Sequence, residues 1–218
     1  MSVSYGMIET ELRPHGLRPR GGFHTLPYDE LDGETLVPVG HAGPDMFRAF
    51  SAARTPGENP LDRWSRAVIG GAAERLGATA LYPFERPLRP FQQWGARAES
   101  IHPSPTGLMI HPAWGLWHGW RGALLFRQRL DLPPRIERPS PCDTCADKPC
   151  LTACPVEAFQ PTGFAVDRCR EHVRGPGAAC RDLGCRARHA CPIGRDYAYL
   201  PAQASFHMAA YARDLWAY

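Results

Sequence analysis

All eight cysteines of the 218-residue chain lie between Cys142 and Cys191, and the first 141 residues contain none. They fall into two sets of four. The first is Cys142, Cys145, Cys150 and Cys154, the second Cys169, Cys180, Cys185 and Cys191, and each set ends in Cys-Pro, at Pro155 and Pro192. Thiolates at this density bind soft metals. Two-cluster ferredoxins use three close cysteines plus a fourth, before proline, that reaches the other cluster. Two alternatives compete. Four disulfides match the even count, but a chain with no leader-like start and a long cysteine-free stretch has little need of a disulfide framework. Structural zinc prefers short paired knuckles, of which Cys142 and Cys145 make the clean instance, and it leaves both Cys-Pro endings unexplained. The pattern favours two 4Fe-4S clusters. Asp147, Lys148 and Pro149 lengthen the loop before Cys150 beyond the usual spacing, an insertion that costs little at a surface.

Such clusters pass one electron at a time, at potentials from roughly −700 to +450 mV set by solvation and hydrogen bonds to sulfur. Counting about −2 for each oxidised cluster with its thiolates, the formal charge moves from +3 to about −1. Arg168, Arg170, Arg181, Arg186 and Arg188 stand among the ligands and offset that charge. A basic collar of this kind suits an RNA surface equally well and does not separate the two roles.

The run from Gly107 to Trp117, the segment Leu130 to Pro134 and the approach Val166 to Cys169 resemble the matching part of epoxyqueuosine reductase and its reductive-dehalogenase relatives. That family consists of cobalamin-dependent reductases with a ferredoxin-like dicluster module. The resemblance runs from about Phe91 to Ile193 and implies a chain shortened relative to the family. Carried over by position, it implies one cluster on Cys142, Cys145, Cys150 and Cys191, and a second on Cys154, Cys169, Cys180 and Cys185. It also exposes two departures. Phe84 falls where the family carries a catalytic aspartate, with Glu85 one position away, and Glu99 to Gly107 replaces a glycine-rich turn. No catalytic residue is assigned.

Trp114, Trp117 and Trp120 recur at intervals of three beside His111, His118 and Arg121, where proline and glycine oppose a regular helix. Wide apolar walls with a few polar groups suit a flat macrocycle. His111, Trp114, Trp117 and His118 are therefore the candidate cofactor-binding residues, with cobalamin as the candidate cofactor. Core packing is the competing role for the same aromatics.

Positioning these groups falls to a small α/β domain over residues 1–138, followed over 139–218 by a loop- and helix-rich ferredoxin-like dicluster module with a C-terminal helix. Leu36 to Val39 reads as a strand ending at Gly40, where Gly40 to Gly43 makes a turn, and a helix follows through Ala53. Asn59 and Pro60 open a second helix that Gly77 closes. Ala78 to Tyr82 is the next strand, and the strand–helix–strand order predicts a parallel, right-handed unit. Phe91 to Glu99 reads as helix, Leu108 to His111 and Ala123 to Arg129 as strands, and Pro133 to Pro141 as a stiff linker. Cys150 and Cys154, four apart, fall on one side of a helical turn if that turn is regular.

Charged residues at 22% and hydrophobic residues at 44% place the chain among folded globular proteins despite 23 Pro and 21 Gly. A formal charge of +3 without a like-charge run argues against a nucleic-acid stripe or a membrane-surface patch. The proline- and histidine-bearing stretch Ile101 to Trp120 makes a poor membrane helix. With Glu9, Glu11 and Arg13 near its start, the chain is expected in the cytoplasm, facing a redox partner protein or a small-molecule substrate.

Overall fold

The computed structural model describes residues 3–213 and divides into two compact units, Met1–Ser100 with His118–Arg138, and Ile101–Trp117 with Pro139–Tyr218. Residues 1–2 and 214–218, the outer ends of the two predicted domains, lie outside the described residues. Residues 101–117, expected in the first domain, pack with the cysteine-bearing unit instead. Arg138 closes the first unit on Ser100. Its N–H donates to Ser100 Oγ at 2.9 Å, and that hydroxyl donates back to the Arg138 carbonyl at 2.9 Å.

The first unit begins with α1 (Tyr5–Leu12), β1 (Arg18–Pro19), β2 (Phe23–His24) and β3 (Thr35–Ala42), then α2 (Asp45–Ala52), α3 (Pro60–Leu76), β4 (Thr79–Leu81) and α4 (Phe91–Ala98). In the 101–117 segment, β5 (His102–Pro103) pairs with β6 (Met109–Ile110). The chain then returns to the first unit as β7 (His118–Phe126). The sheet order is β1-β3-β7-β4, with β2 beside the other end of β3, and every pairing is antiparallel. The expected parallel pair is therefore absent from the described sheet. β3 and β4 run in the same direction, but β7 lies between them and takes both sets of hydrogen bonds.

β3 is buried along its whole length, as a central strand rich in β-branched and apolar residues must be. It does not end at Gly40. A bulge at Val39/Gly40 lets pairing continue to Ala42 opposite His118, so the expected turn is strand. Pro38 is tolerated at its middle because its backbone faces the irregular edge ribbon, where its carbonyl accepts from the Arg20 N–H at 2.8 Å. Phe91, Trp94 and Ala98 of α4 cover one face of the sheet, on Leu36, Leu81, Ala123 and Leu125. Gly122 marks the contact with α3, since a Cβ there would stand 2.9 Å from Ile69 Cδ1. Asn59 adopts a left-handed conformation and makes no side-chain cap to α3, whereas Gly77 closes that helix as expected.

The second unit continues as α5 (Pro149–Thr152), the ribbon β8 (Phe159–Gln160) and β9 (Gly163–Phe164), then α6 (Val166–Arg174), α7 (Ala179–Leu183), α8 (Arg186–Ala190) and α9 (Pro201–Ala212). Short helices and loops dominate it. Among the described residues, no helix is long and apolar enough to cross a membrane.

Candidate metal centre

Four thiols of the second unit line one cavity of about 40 Å³: Cys154, Cys169, Cys180 and Cys185. Local structure explains each position. Cys169 sits in α6, Cys180 in α7, and Cys185 is the N-cap of α8, where its sulfur accepts from the backbone N–H groups of Ala187 and Arg188. Cys154 lies beyond the end of α5, and its sulfur accepts from the Ala158 N–H at 3.3 Å. The remaining wall is mostly apolar, with Pro155, Val156, Phe159, Phe164, Ala187 and Met208, joined by His172 and Arg186.

The other four thiols form a second neighbourhood. Cys142 feels the charges of Cys191 and Cys145, and Cys150 those of Cys191, Cys142 and Cys145. Lys148 takes a left-handed conformation and Pro149 opens α5, so the lengthened loop is absorbed just before Cys150. Because α5 ends at Thr152, Cys150 and Cys154 do not share a helical face and enter different neighbourhoods. Burial pushes the thiols of Cys142, Cys150, Cys169 and Cys185 above their ordinary value. A metal held by these thiols would have to displace protons. Among the described residues, no three His, Cys, Asp or Glu side chains converge on a point as a single ion would require. The donor sets fit a polynuclear group. Each offers four sulfurs, and the second set surrounds a space rather than a point.

Residues 101–117 strap the first thiol set. Ile110 and Leu116 pack with Cys191, and Cys142 and Ile193 complete that cluster. Two glycines make the approach possible. A Cβ on Gly115 would stand 2.0 Å from the Ile193 carbonyl oxygen, and one on Gly194 would stand 2.2 Å from the Trp114 carbonyl carbon. Both have positive φ, 58° and 69°. Arg188 clamps the strap from α8. Its guanidinium donates to the Leu116 carbonyl and lies 4.9 Å from the Trp117 ring and 4.2 Å from that of Tyr199. Arg188 thus serves packing rather than an outer basic collar.

The four residues expected to hold a flat cofactor are divided between the units. His111 and Trp114 are half-buried and stacked at 3.8 Å, with His111 Nδ1 accepting from the Ala113 and Trp114 N–H groups at 3.0 and 3.2 Å. Trp117 is core, 2% exposed, against Tyr199 and Ala204. His118 belongs to the first unit, where Nδ1 lies 3.2 Å from Nη2 of Arg20. Trp120 packs on α4 in the same unit, where Gly95 leaves room for its ring. Phe84 stacks on Tyr82 at 5.2 Å, and Glu85 pairs with Arg66 at 2.9 Å.

Several polar groups escaped the sequence reading. Arg20 is completely buried in an ion pair with Glu99 and donates to the His41 carbonyl at 3.3 Å. In the second unit, the Tyr211 hydroxyl donates a hydrogen bond to Cys169, and His172 stands in the thiol cavity. The spacing of His172 three residues after Cys169 was a usable signal, because i and i+3 share a helix face.

Solved structures of epoxyqueuosine reductase share this fold. The enzyme from Streptococcus thermophilus superposes with a TM-score of 0.50 at 13% identity, over 86% of this chain and 65% of its own. An epoxyqueuosine reductase with a tRNA-Tyr epoxyqueuosine-modified stem loop gives 0.53 at 12%, over 90% of this chain and 66% of its own. A selenomethionine-labelled epoxyqueuosine reductase gives 0.51 at 12%, covering 81% and 53%. The chain therefore spans just under two thirds of the first two and about half of the third. No family model matches the sequence, and no curated protein is similar to it in sequence.

Proposed function

We propose that this chain is an iron–sulfur redox protein with two 4Fe-4S clusters, one on Cys142, Cys145, Cys150 and Cys191 and one on Cys154, Cys169, Cys180 and Cys185. The observation that carries the reading is the gathering of eight thiols into two sets of four, crossed between the two sequence groups. The clusters supply single electrons. The protein's own residues hold the sulfurs, line the cavity with the half-buried Phe159 and Met208, and aim N–H and O–H donors at the thiolates.

The fold likeness to reductases favours delivery of those electrons to a cofactor or substrate held by the protein, with a corrinoid-linked reductase as the specific proposal. The half-exposed His111–Trp114 stack is the flat surface a corrinoid would meet, while Trp117 and His118 give support from within their own units. Phe84, at the position the resemblance gives to the family aspartate, is stacked on Tyr82, and the neighbouring Glu85 is engaged by Arg66, which supports the reading that this acid is absent. A reduction other than epoxide removal, or cobalamin handling, follows.

Anaerobically purified protein is expected to hold about eight irons and eight sulfides per chain. Zinc without sulfide overturns the cluster reading. Titration with cobalamin is expected to give a saturable spectral shift that Trp114→Ala weakens. No shift up to about 100 μM, a binding free energy weaker than roughly 5.5 kcal/mol, leaves a dicluster electron carrier that docks to a partner enzyme.

A further inference from the structure

The wall of the second thiol cavity contains one polar atom that the protein itself does not satisfy. His172 Nε2 is enclosed and has no hydrogen-bond partner, and His172 lines the cavity with Cys154, Cys169, Cys180 and Cys185. An enclosed ring nitrogen is costly to leave without a partner, so something is expected to accept or donate there. The other lining groups narrow the choice. Pro155, Val156, Phe159, Phe164 and Ala187 offer no side-chain acceptor, Arg186 only donates, and Met208 is a weak acceptor. Sulfur of the thiol set is the acceptor that remains. Helix geometry agrees, because Cys169 and His172 are one turn apart in α6 and face the same way.

We infer that His172 is a tuning residue for the second cluster, its Nε2–H donating a hydrogen bond to cluster or thiolate sulfur. This rests on the two-cluster reading above. A donor at sulfur stabilises the reduced form, which carries one more negative charge, and so raises the potential of that cluster alone. His172 takes no part in holding iron, so its loss is expected to change the potential rather than the metal content.

The test compares wild-type holoprotein with His172→Leu, which removes the donor, and His172→Gln, which restores an N–H donor. Potentiometric titration followed by EPR should resolve two couples. In His172→Leu, with about eight irons retained, one couple is expected to move to a more negative potential and the other to stay. A tenfold change in the reduction equilibrium reads as about 59 mV for one electron. His172→Gln is expected to recover most of the shift. Full iron with both potentials unchanged in His172→Leu overturns the role of His172 and leaves the cluster reading standing. Zinc without sulfide in the wild type overturns both.

Loss of a cluster in His172→Leu moves the test to wild-type protein labelled with 15N-histidine. Pulsed EPR of the reduced protein is then expected to show a nitrogen coupling that His172→Gln abolishes. Absence of that coupling in the wild type overturns the inference.

Discussion

The Tyr5 hydroxyl donates to the Gly21 carbonyl at 3.3 Å from a half-buried position, and burial pushes its pKa up to about 12. In the unfolded chain the phenol titrates near 10. The folded state therefore holds its proton longer, so the contribution to stability is intact below about pH 10 and is lost as pH rises toward 12. Its size is on the order of 2 kcal/mol. Tyr5→Phe should flatten the alkaline limb of stability between about pH 10 and 12, and urea melts across that range would show it. A variant as alkali-sensitive as the wild type refutes the assignment. Nothing near Tyr5 in the sequence announces Gly21, and the same holds for Tyr211 and Cys169. The spacing of the cysteines is visible in the sequence, and so are near donors such as Ala158 to Cys154, whereas Tyr211 reaches Cys169 from a helix distant in the chain.

The strap at 101–117 is held by backbone contact rather than by a side-chain lock. Replacing Gly194 by Ala meets both a left-handed φ, worth about 1–2 kcal/mol against an L-residue, and a carbonyl 2.2 Å from the new methyl. Gly194→Ala should therefore displace Ile193 and, with it, Cys191. The expected result is a fall from about eight irons to about four, read by iron assay, with the EPR signal of the second cluster retained. Full iron content would show that Cys191 does not depend on this contact. The aromatic spacing of the strap was visible in the sequence, but its partners were not. Three tryptophans at intervals of three fit a core as readily as a cofactor wall, with core the commoner role, and Gly194 in a distant loop helps decide where the segment packs. β3 was likewise legible as an apolar run, while its extension to Ala42 depends on a bulge against β7 that no local pattern records.

At the scale of the whole chain, the two thiol sets are interleaved. Cys154 of the first sequence group joins Cys169, Cys180 and Cys185, and Cys191 of the second joins Cys142, Cys145 and Cys150. Cys191→Ala should leave the same residual EPR spectrum as Cys142→Ala, and Cys154→Ala the same as Cys169→Ala. Pairing of Cys191→Ala with Cys169→Ala instead would rule out the crossed arrangement. Pro133 and Pro134 lie shortly before the crossing at 138, whereas the crossings at 100 and 117 carry no compositional change.

That interrupted second unit also sets an order of events during synthesis. At about 5–20 residues per second, Gly115 leaves the ribosome roughly 4–16 s before Ile193 and Gly194 can receive it. Ile110, Leu116 and Trp117 stay uncovered through that interval, while the first unit can already close β7 onto β3. The first thiol set is complete only after Cys191 has emerged. A nascent chain halted between Cys154 and Cys191 exposes Trp117 and at least the four cysteines of the first sequence group before the residues that cover them have been made.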